Sequence, residues 1–136
     1  MSDFNQKIIE EFRANDGKVG GYFENATVLL LHTTGAKSGK ARVNPLVTLA
    51  DGEAYIIVAS AGGAEKHPDW FYNVKANRSV SVEVGTEKFE AATTITEEPE
   101  RSELYAKMVA INPGFAEYEE KTAGIRTIPV ITLNRA

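Results

Sequence analysis

Apolar residues in this chain fall mostly into short runs with a period of two, and a helical period appears in a few places only. Residues 3–15 place Phe4, Ile8, Ile9 and Phe12 near helical spacing, with Gln6, Lys7, Glu10, Glu11 and Arg13 between them. The spacing predicts an amphipathic N-terminal helix within residues 1–17, stopped by Asn15-Asp16-Gly17. Such a helix would cover part of the core. The sharper alternative is a movable lid or a membrane-surface contact.

The strand signals follow. Residues 26–34 (ATVLLLHTT) form a short β-rich apolar run that reads as a buried strand. Residues 43–50 give a second strand, Asp51-Gly52 is the strongest hairpin signal in the chain, and residues 53–60 return as the third. After Gly62-Gly63, Pro68 suits the first turn of a helix carrying Trp70, Phe71 and Val74. Residues 79–84 (SVSVEV) alternate, Gly85-Thr86 turns, and residues 87–96 run back as the fifth strand. Pro99 and its glutamates open a helix through about Ile111, where the acids complement the helix N-terminus. Asn112-Pro113-Gly114 breaks it, a short helix is expected over 116–121, and residues 128–133 (IPVITL) supply the sixth strand. Six short strands joined mostly by hairpins predict a mainly β (α+β) fold, an antiparallel sheet closed into a small barrel or sandwich. With 136 residues, no repeat and no linker, residues 1–136 read as one domain.

Composition narrows the function. There is no cysteine, which removes disulfides, thiolate metal sites and a cysteine nucleophile. Residues 1–15 are too polar for a signal segment and no run approaches ~18 apolar residues, so the chain is expected to be cytoplasmic. The net charge is −4, yet residues 35–45 (GAKSGKARVNP) hold Lys37, Lys40 and Arg42 with no acid, leaving −7 for the remainder. A local basic loop on an acidic chain argues against general nucleic-acid binding and for a small anionic ligand.

Several chemistries can be set aside. In Gly35-Ala36-Lys37-Ser38-Gly39-Lys40 the glycines are too close for a P-loop, Ala41 stands where a magnesium-binding Ser or Thr belongs, and a strand follows in place of a helix. No G-x-G-x-x-G opens a helix. With His32 and His67 alone, and no carboxylate–histidine cluster, a metal site is not expected. His32 reads as a packed core histidine and His67 as a helix-start residue. Neither Ser38 nor Ser60 lies in G-x-S-x-G, so an enzyme built on this chain would take its reactive atoms from a bound cofactor. Gly35 and Gly39 would let backbone N–H groups approach an anion, with Lys37, Ser38, Lys40 and Arg42 adding donors. A merely solvated hairpin stays open beside that reading.

Three separated stretches, "TTGAKSGKARVNPL", "DGEAYIIVASAGGAEKHPDWFYNVKAN" and "RTIPVITL", resemble the deazaflavin-dependent nitroreductases, also described as F420H2-dependent quinone reductases. The resemblance runs from about Val28 to Leu133. It implies a split β-barrel of the pyridoxamine-phosphate-oxidase-like kind with peripheral helices, and coenzyme F420, an 8-hydroxy-5-deazaflavin with a phosphate and an oligoglutamate tail. By that resemblance Lys37, Ser38 and Arg42 match phosphate- and tail-binding positions, with Lys40 beside them. Val43, Asn44 and Pro45 match the segment whose backbone approaches the deazaflavin ring. Ser60, Ala61, Gly62, Gly63 and Ala64 match the glycine-rich stretch beside the cofactor, and Lys66, Trp70 and Asn73 the helix after it, though Trp70 also reads as plain core. Ser60 and Tyr118 are the candidate catalytic hydrogen-bond donors, and Phe12, Trp70 and Phe115 the expected pocket walls.

The chain departs from the family at Ala36, where a basic residue is common, and at Ala61, where a lysine is. Of a C-terminal tyrosine cluster only Tyr118 is kept, beside Asn112 and Phe115, which weakens the implication for nitroimidazole reduction and leaves the deazaflavin chemistry untouched. The implied acceptors are small molecules: a quinone, an enone or a nitro compound. A flavin such as FMN in the same barrel and a non-catalytic F420 carrier or sensor are the rival readings. A homodimer and peripheral membrane contact by residues 3–15 are left open.

Overall fold

The computed structural model describes residues 3–20 and 27–136. Helix α1 (Asp3–Ala14) precedes strands β1 (Thr27–Thr34), β2 (Ala41–Asp51) and β3 (Ala54–Val58). A 3-10 turn (Ala61–Gly63) leads to α2 (Asp69–Ala76), then β4 (Ser79–Val84), β5 (Glu87–Ile95), α3 (Glu100–Ile111), α4 (Gly114–Thr122) and β6 (Val130–Arg135). The strands close into a barrel in the order β1-β2-β3-β6-β5-β4, with every pairing antiparallel. The expected six-stranded barrel is therefore present. The side chain of Phe4 and residue Ala26, both part of expected elements, lie outside the described residues.

The continuous apolar run in β1 has a simple cause: both of its faces are covered. Leu29 and Leu31 point to the barrel interior with Ile57, Val82, Ile131 and Leu133. Val28 and Leu30 face the other way and pack with Ile9, Phe12 and Val19 beneath α1. The same split divides β3 and β6. Ile57 and Ile131 go inside, while Ile56 and Val130 join Leu104, Tyr105, Met108 and Phe115 beneath α3 and α4. Each such aliphatic side chain contributes about 1.5–3 kcal/mol when withdrawn from water. Helix α2 adds Trp70, Phe71 and Val74 to the interior cluster. The apolar stripe of α1 is thus used on the barrel, with Ile9 and Phe12 buried. No helix among the described residues is long and apolar enough to cross a membrane.

Boundaries move where side chains redirect the backbone. The basic segment is a loop only to Lys40: β2 begins at Ala41, so Arg42, Val43, Asn44 and Pro45 are strand residues paired with Thr33, His32, Leu31 and Leu30. Strand β3 ends at Val58, two residues early, because the carbonyls of Ala59 and Ser60 turn to the Arg126 guanidinium. Strand β6 begins at Val130, since the Ile128 carbonyl accepts from Arg101 Nε at 2.9 Å and Pro129 has no N–H to pair. Arg101 itself is buried, reaches Glu119 at 3.0 Å, and lies 4.7 Å over the Tyr105 ring, tying α3 to α4 and β6. Gly52 (φ 63°) turns the β2–β3 hairpin where expected, because Asp51 pairs with Ala54 across it.

His32 is not the packed core histidine that its apolar strand suggested. It is part-exposed and paired through Nε2 with Glu83 of β4, which also accepts from Arg13 Nη2 of α1 at 2.9 Å. Burial raises the Glu83 pKa, but hydrogen bonds from Arg13 and His32 outweigh it and hold the carboxyl below its usual range.

Candidate functional site

A cleft of about 930 Å³ opens between the β1–β2 loop, the start of β2, α2 and the N-terminal turn of α1. Its wall contains Lys37, Ser38, Arg42, Val43, Asn44, Trp70 and Asn73 from the sequence-based set. Gly35 and Ala36 of the basic loop also line it, as do Asn5, Pro68, Asp69 and Tyr72, which sequence reasoning did not assign. Lys40, Pro45 and Lys66 are outside this wall.

The loop that carries the positive charge is pinned from three sides. Gly35 N–H donates to the Lys40 carbonyl at 2.7 Å, and Gly39 N–H donates to the Gly35 carbonyl at 2.9 Å. The Lys40 N–H reaches Ser38 Oγ at 3.2 Å. A Cβ on Gly35 would stand 2.5 Å from Ser38 Oγ and 3.3 Å from the Lys40 carbonyl oxygen, so a larger residue there would displace the serine hydroxyl from the Lys40 N–H. From α2, Asn73 Oδ1 accepts the Ala36 N–H at 2.8 Å, and its Nδ2 donates to Thr33 Oγ1 at 3.2 Å. Asn73 is buried and both ends of its amide are engaged, so here it shapes the cleft as well as bordering it.

Lys37 and Arg42 are exposed, and neither has an ion-pair partner among the described residues. Two unpaired cations beside a serine hydroxyl and backbone N–H groups form a donor set for phosphate or carboxylate. Asp69, the first residue of α2, adds one carboxylate to the same wall. Trp70 is almost wholly buried in the interior cluster, as its core reading expected, and it also borders the cleft. Phe12 and Phe115 do not line this cleft: Phe12 is buried beneath α1 against β1, and Phe115 beneath α3 and α4. Edge-to-face contacts with Tyr105 and Tyr118 hold the Phe115 ring in that cluster.

Ser60 and the glycine-rich turn are placed apart from this wall. Gly62 (φ 65°) and Gly63 (φ 85°) adopt left-handed conformations, and a Cβ on Gly63 would lie 3.4 Å from the Tyr118 ring. Tyr118, on α4, therefore packs against the turn that begins at Ser60, and the two candidate donors share one neighbourhood. The residue that shapes this turn is Arg126, which opens the "RTIPVITL" stretch and went unassigned. Its Nε donates to the Ala64 carbonyl at 3.0 Å, Nη1 to Ala59 at 3.0 Å, and Nη2 to Ser60 at 2.8 Å. Nη1 also lies 3.0 Å from His67 Nδ1. Burial, then the positive charges of Arg126 and Lys75, push the His67 pKa below its usual value, so the ring is neutral and accepts through Nδ1. His67, expected as a helix-start residue, lies in the loop just before Pro68, the N-cap of α2. Among the described residues no group of His, Asp and Glu side chains could hold a metal ion.

With this geometry in place, the comparison with known proteins is specific. Residues 5–135 match the family described as F420H(2)-dependent quinone reductase. The chain belongs to that family. An F420H(2)-dependent quinone reductase of Mycobacterium tuberculosis is 37% identical over 128 residues, covering 91% of this chain and 85% of the relative. A solved F420-H2 dependent reductase is 42% identical, with a TM-score of 0.71 over 79% of this chain and 93% of that one. Another solved structure, described as a domain-swapped dimer, is 37% identical with a TM-score of 0.73, covering 95% of this chain and 96% of its own. A protein from Listeria innocua described as a pyridoxamine 5'-phosphate oxidase shares the fold alone, at 12% identity and a TM-score of 0.55. The family is F420H2-dependent, so coenzyme F420 is the cofactor against which the cleft is judged, and the donor set fits an anionic, elongated ligand.

Proposed function

We propose that this chain is an F420H2-dependent oxidoreductase that reduces a quinone or enone in the cleft between the β1–β2 loop and α2. The observation that carries the reading is that Lys37 and Arg42, without ion-pair partners among the described residues, line one cleft together with Asn44, Trp70 and Tyr72. A volume of about 930 Å³ lies at the upper end of the roughly 300–1,000 Å³ typical of cofactor sites. Reduced F420, when bound, supplies a hydride, which with one proton converts a quinone to its hydroquinone.

The chain's own residues bind, orient and exclude water. Lys37, Ser38 and Arg42 receive phosphate and carboxylate groups, and Asn73 keeps the loop bearing them in place. Val43, Asn44 and Trp70 border the position of a planar ring. Ser60 and Tyr118 stand at the turn outside that wall, and they are the proposed donors to the developing oxyanion of an acceptor that reaches from the cleft to the turn. The loss of all but one C-terminal tyrosine favours quinones and enones over nitroimidazoles. The related domain-swapped dimer supports a homodimer for this chain as well. With Ile9 and Phe12 buried, α1 is assigned to the barrel and the cleft rather than to a membrane surface.

Fluorescence titration with F420 and with FMN, followed by F420H2 oxidation with a soluble quinone, an enone and a nitroimidazole, tests the reading. Micromolar or tighter F420 binding and turnover with the first two are expected. Tight FMN binding without any F420 response would overturn it, and F420 binding without turnover would leave a carrier.

A further inference from the structure

We infer that Arg126, with neutral His67 as its acceptor, is the positioning residue of the Ser60–Ala64 turn, and that the turn loosens when His67 takes up a proton. The inference rests on the F420 reading only for its consequence; the clamp itself stands on geometry. Four of the five guanidinium N–H groups are directed at this one segment: at the carbonyls of Ala59, Ser60 and Ala64 and at His67 Nδ1. A rigid planar fork fixes the relative positions of three carbonyls more closely than the rotatable donors of an ammonium would. The turn needs such a device. It holds two left-handed glycines and Ala61 at φ 49°, and its own backbone contributes only Gly63 N–H to the Ser60 carbonyl and Ala64 N–H to that of Ala61.

His67 makes the clamp sensitive to protons. An acceptor Nδ1 requires the ring hydrogen on Nε2, and a proton added at Nδ1 would face the Arg126 guanidinium directly. The charged and titratable groups around the pair are Lys75 and Tyr72 from α2, Tyr105 from α3, and Lys121 of α4 against Gly63, with Glu65, Lys66 and Asp69 on the His67 segment itself. None of the carboxylates among them is bonded to His67, so among the described residues no hydrogen-bonded acid offsets the charge of the imidazolium. Burial also disfavours it. The His67 ring packs 4.8 Å from Phe71 and 5.9 Å from Tyr72, and Pro68 follows it, so movement of the clamp reaches two residues of the cleft wall.

Amide hydrogen exchange on the free protein, normalised to intrinsic rates, reads the clamp without any cofactor. In the wild type, protection at Gly63 and Ala64 should fall about tenfold between roughly pH 7.5 and pH 5, while strands β1 and β4 keep theirs. His67→Gln, which cannot titrate, should hold protection constant across that range. Arg126→Lys should lower it at both pH values. F420 affinity should follow protection in all three proteins. Wild-type protection that ignores pH, or an equal acid loss in His67→Gln, would overturn the clamp. Expected exchange with F420 affinity that does not follow it would overturn the link to the cleft. If no protein in the series binds F420, the proposed function has failed, and the exchange data alone decide the clamp.

Discussion

Replacing Asn73 with leucine removes two hydrogen bonds at nearly constant volume. One holds the Ala36 N–H of the basic loop at 2.8 Å, and the other satisfies Thr33 Oγ1 at 3.2 Å in a residue that is only 5% exposed. Each bond contributes a net ~1 kcal/mol, and a buried hydroxyl left without a partner adds about 1–3 kcal/mol. The Ala36 N–H can turn to water, because Ala36 is exposed, but the Thr33 hydroxyl cannot. The expected loss is about 2–4 kcal/mol. For a chain of 136 residues, with an unfolding entropy near 0.29 kcal/mol/K, that lowers Tm by about 7–14 °C. Urea unfolding followed by both fluorescence and circular dichroism measures it. The double variant Thr33→Val/Asn73→Leu should recover about 1 kcal/mol relative to the sum of the single changes, because no orphaned hydroxyl remains. A loss below about 0.5 kcal/mol for Asn73→Leu, or strict additivity in the cycle, would refute the view that this amide braces the loop.

Lys37→Ala with Arg42→Ala should weaken F420 binding by about 30- to 1,000-fold, taking about 1–2 kcal/mol for each screened contact, and should flatten its salt dependence; titrations at two ionic strengths check both. Gly17→Ala should cost about 2–4 kcal/mol in urea unfolding, because φ is 92° and the new Cβ would lie 2.5 Å from Gly85 Cα. Gly124→Ala, at φ 79° with open space around it, should cost only the smaller conformational part, and equal losses would remove the steric argument. The depressed Glu83 pKa contributes stability that is present above its unfolded value of 4.5 and is lost as pH falls through the lower folded value. Urea midpoints of Glu83→Gln should therefore vary less than wild type between about pH 6 and pH 3; parallel curves would contradict the role given to the Arg13–Glu83–His32 contacts.

The antiparallel barrel was legible because strand alternation and the turn signals at Asp51-Gly52 and Gly85-Thr86 are local properties of the chain. The observed pairings Asp51 with Ala54 and Val84 with Glu87 follow from them. The basic loop was equally legible, since charge and glycine placement need no partner to be noticed. What the sequence could not contain was which distant group ends an element or fills a face. Strand β3 stops where Arg126, 66 residues beyond Ser60, captures the carbonyls. His32 leaves the core pattern because barrel closure sets β4 and Glu83 beside β1. Phe12 and Phe115 looked like pocket walls, yet each lies in a cluster on the outer face of the barrel, because a large aromatic is equally apolar in either place and only packing decides. The sequence by itself determined the strand count, the hairpin turns and a loop of concentrated positive charge. The tertiary structure decided which of those cations face a common cleft, and that a single guanidinium organises the turn at Ser60, since both depend on contacts between segments far apart in the chain.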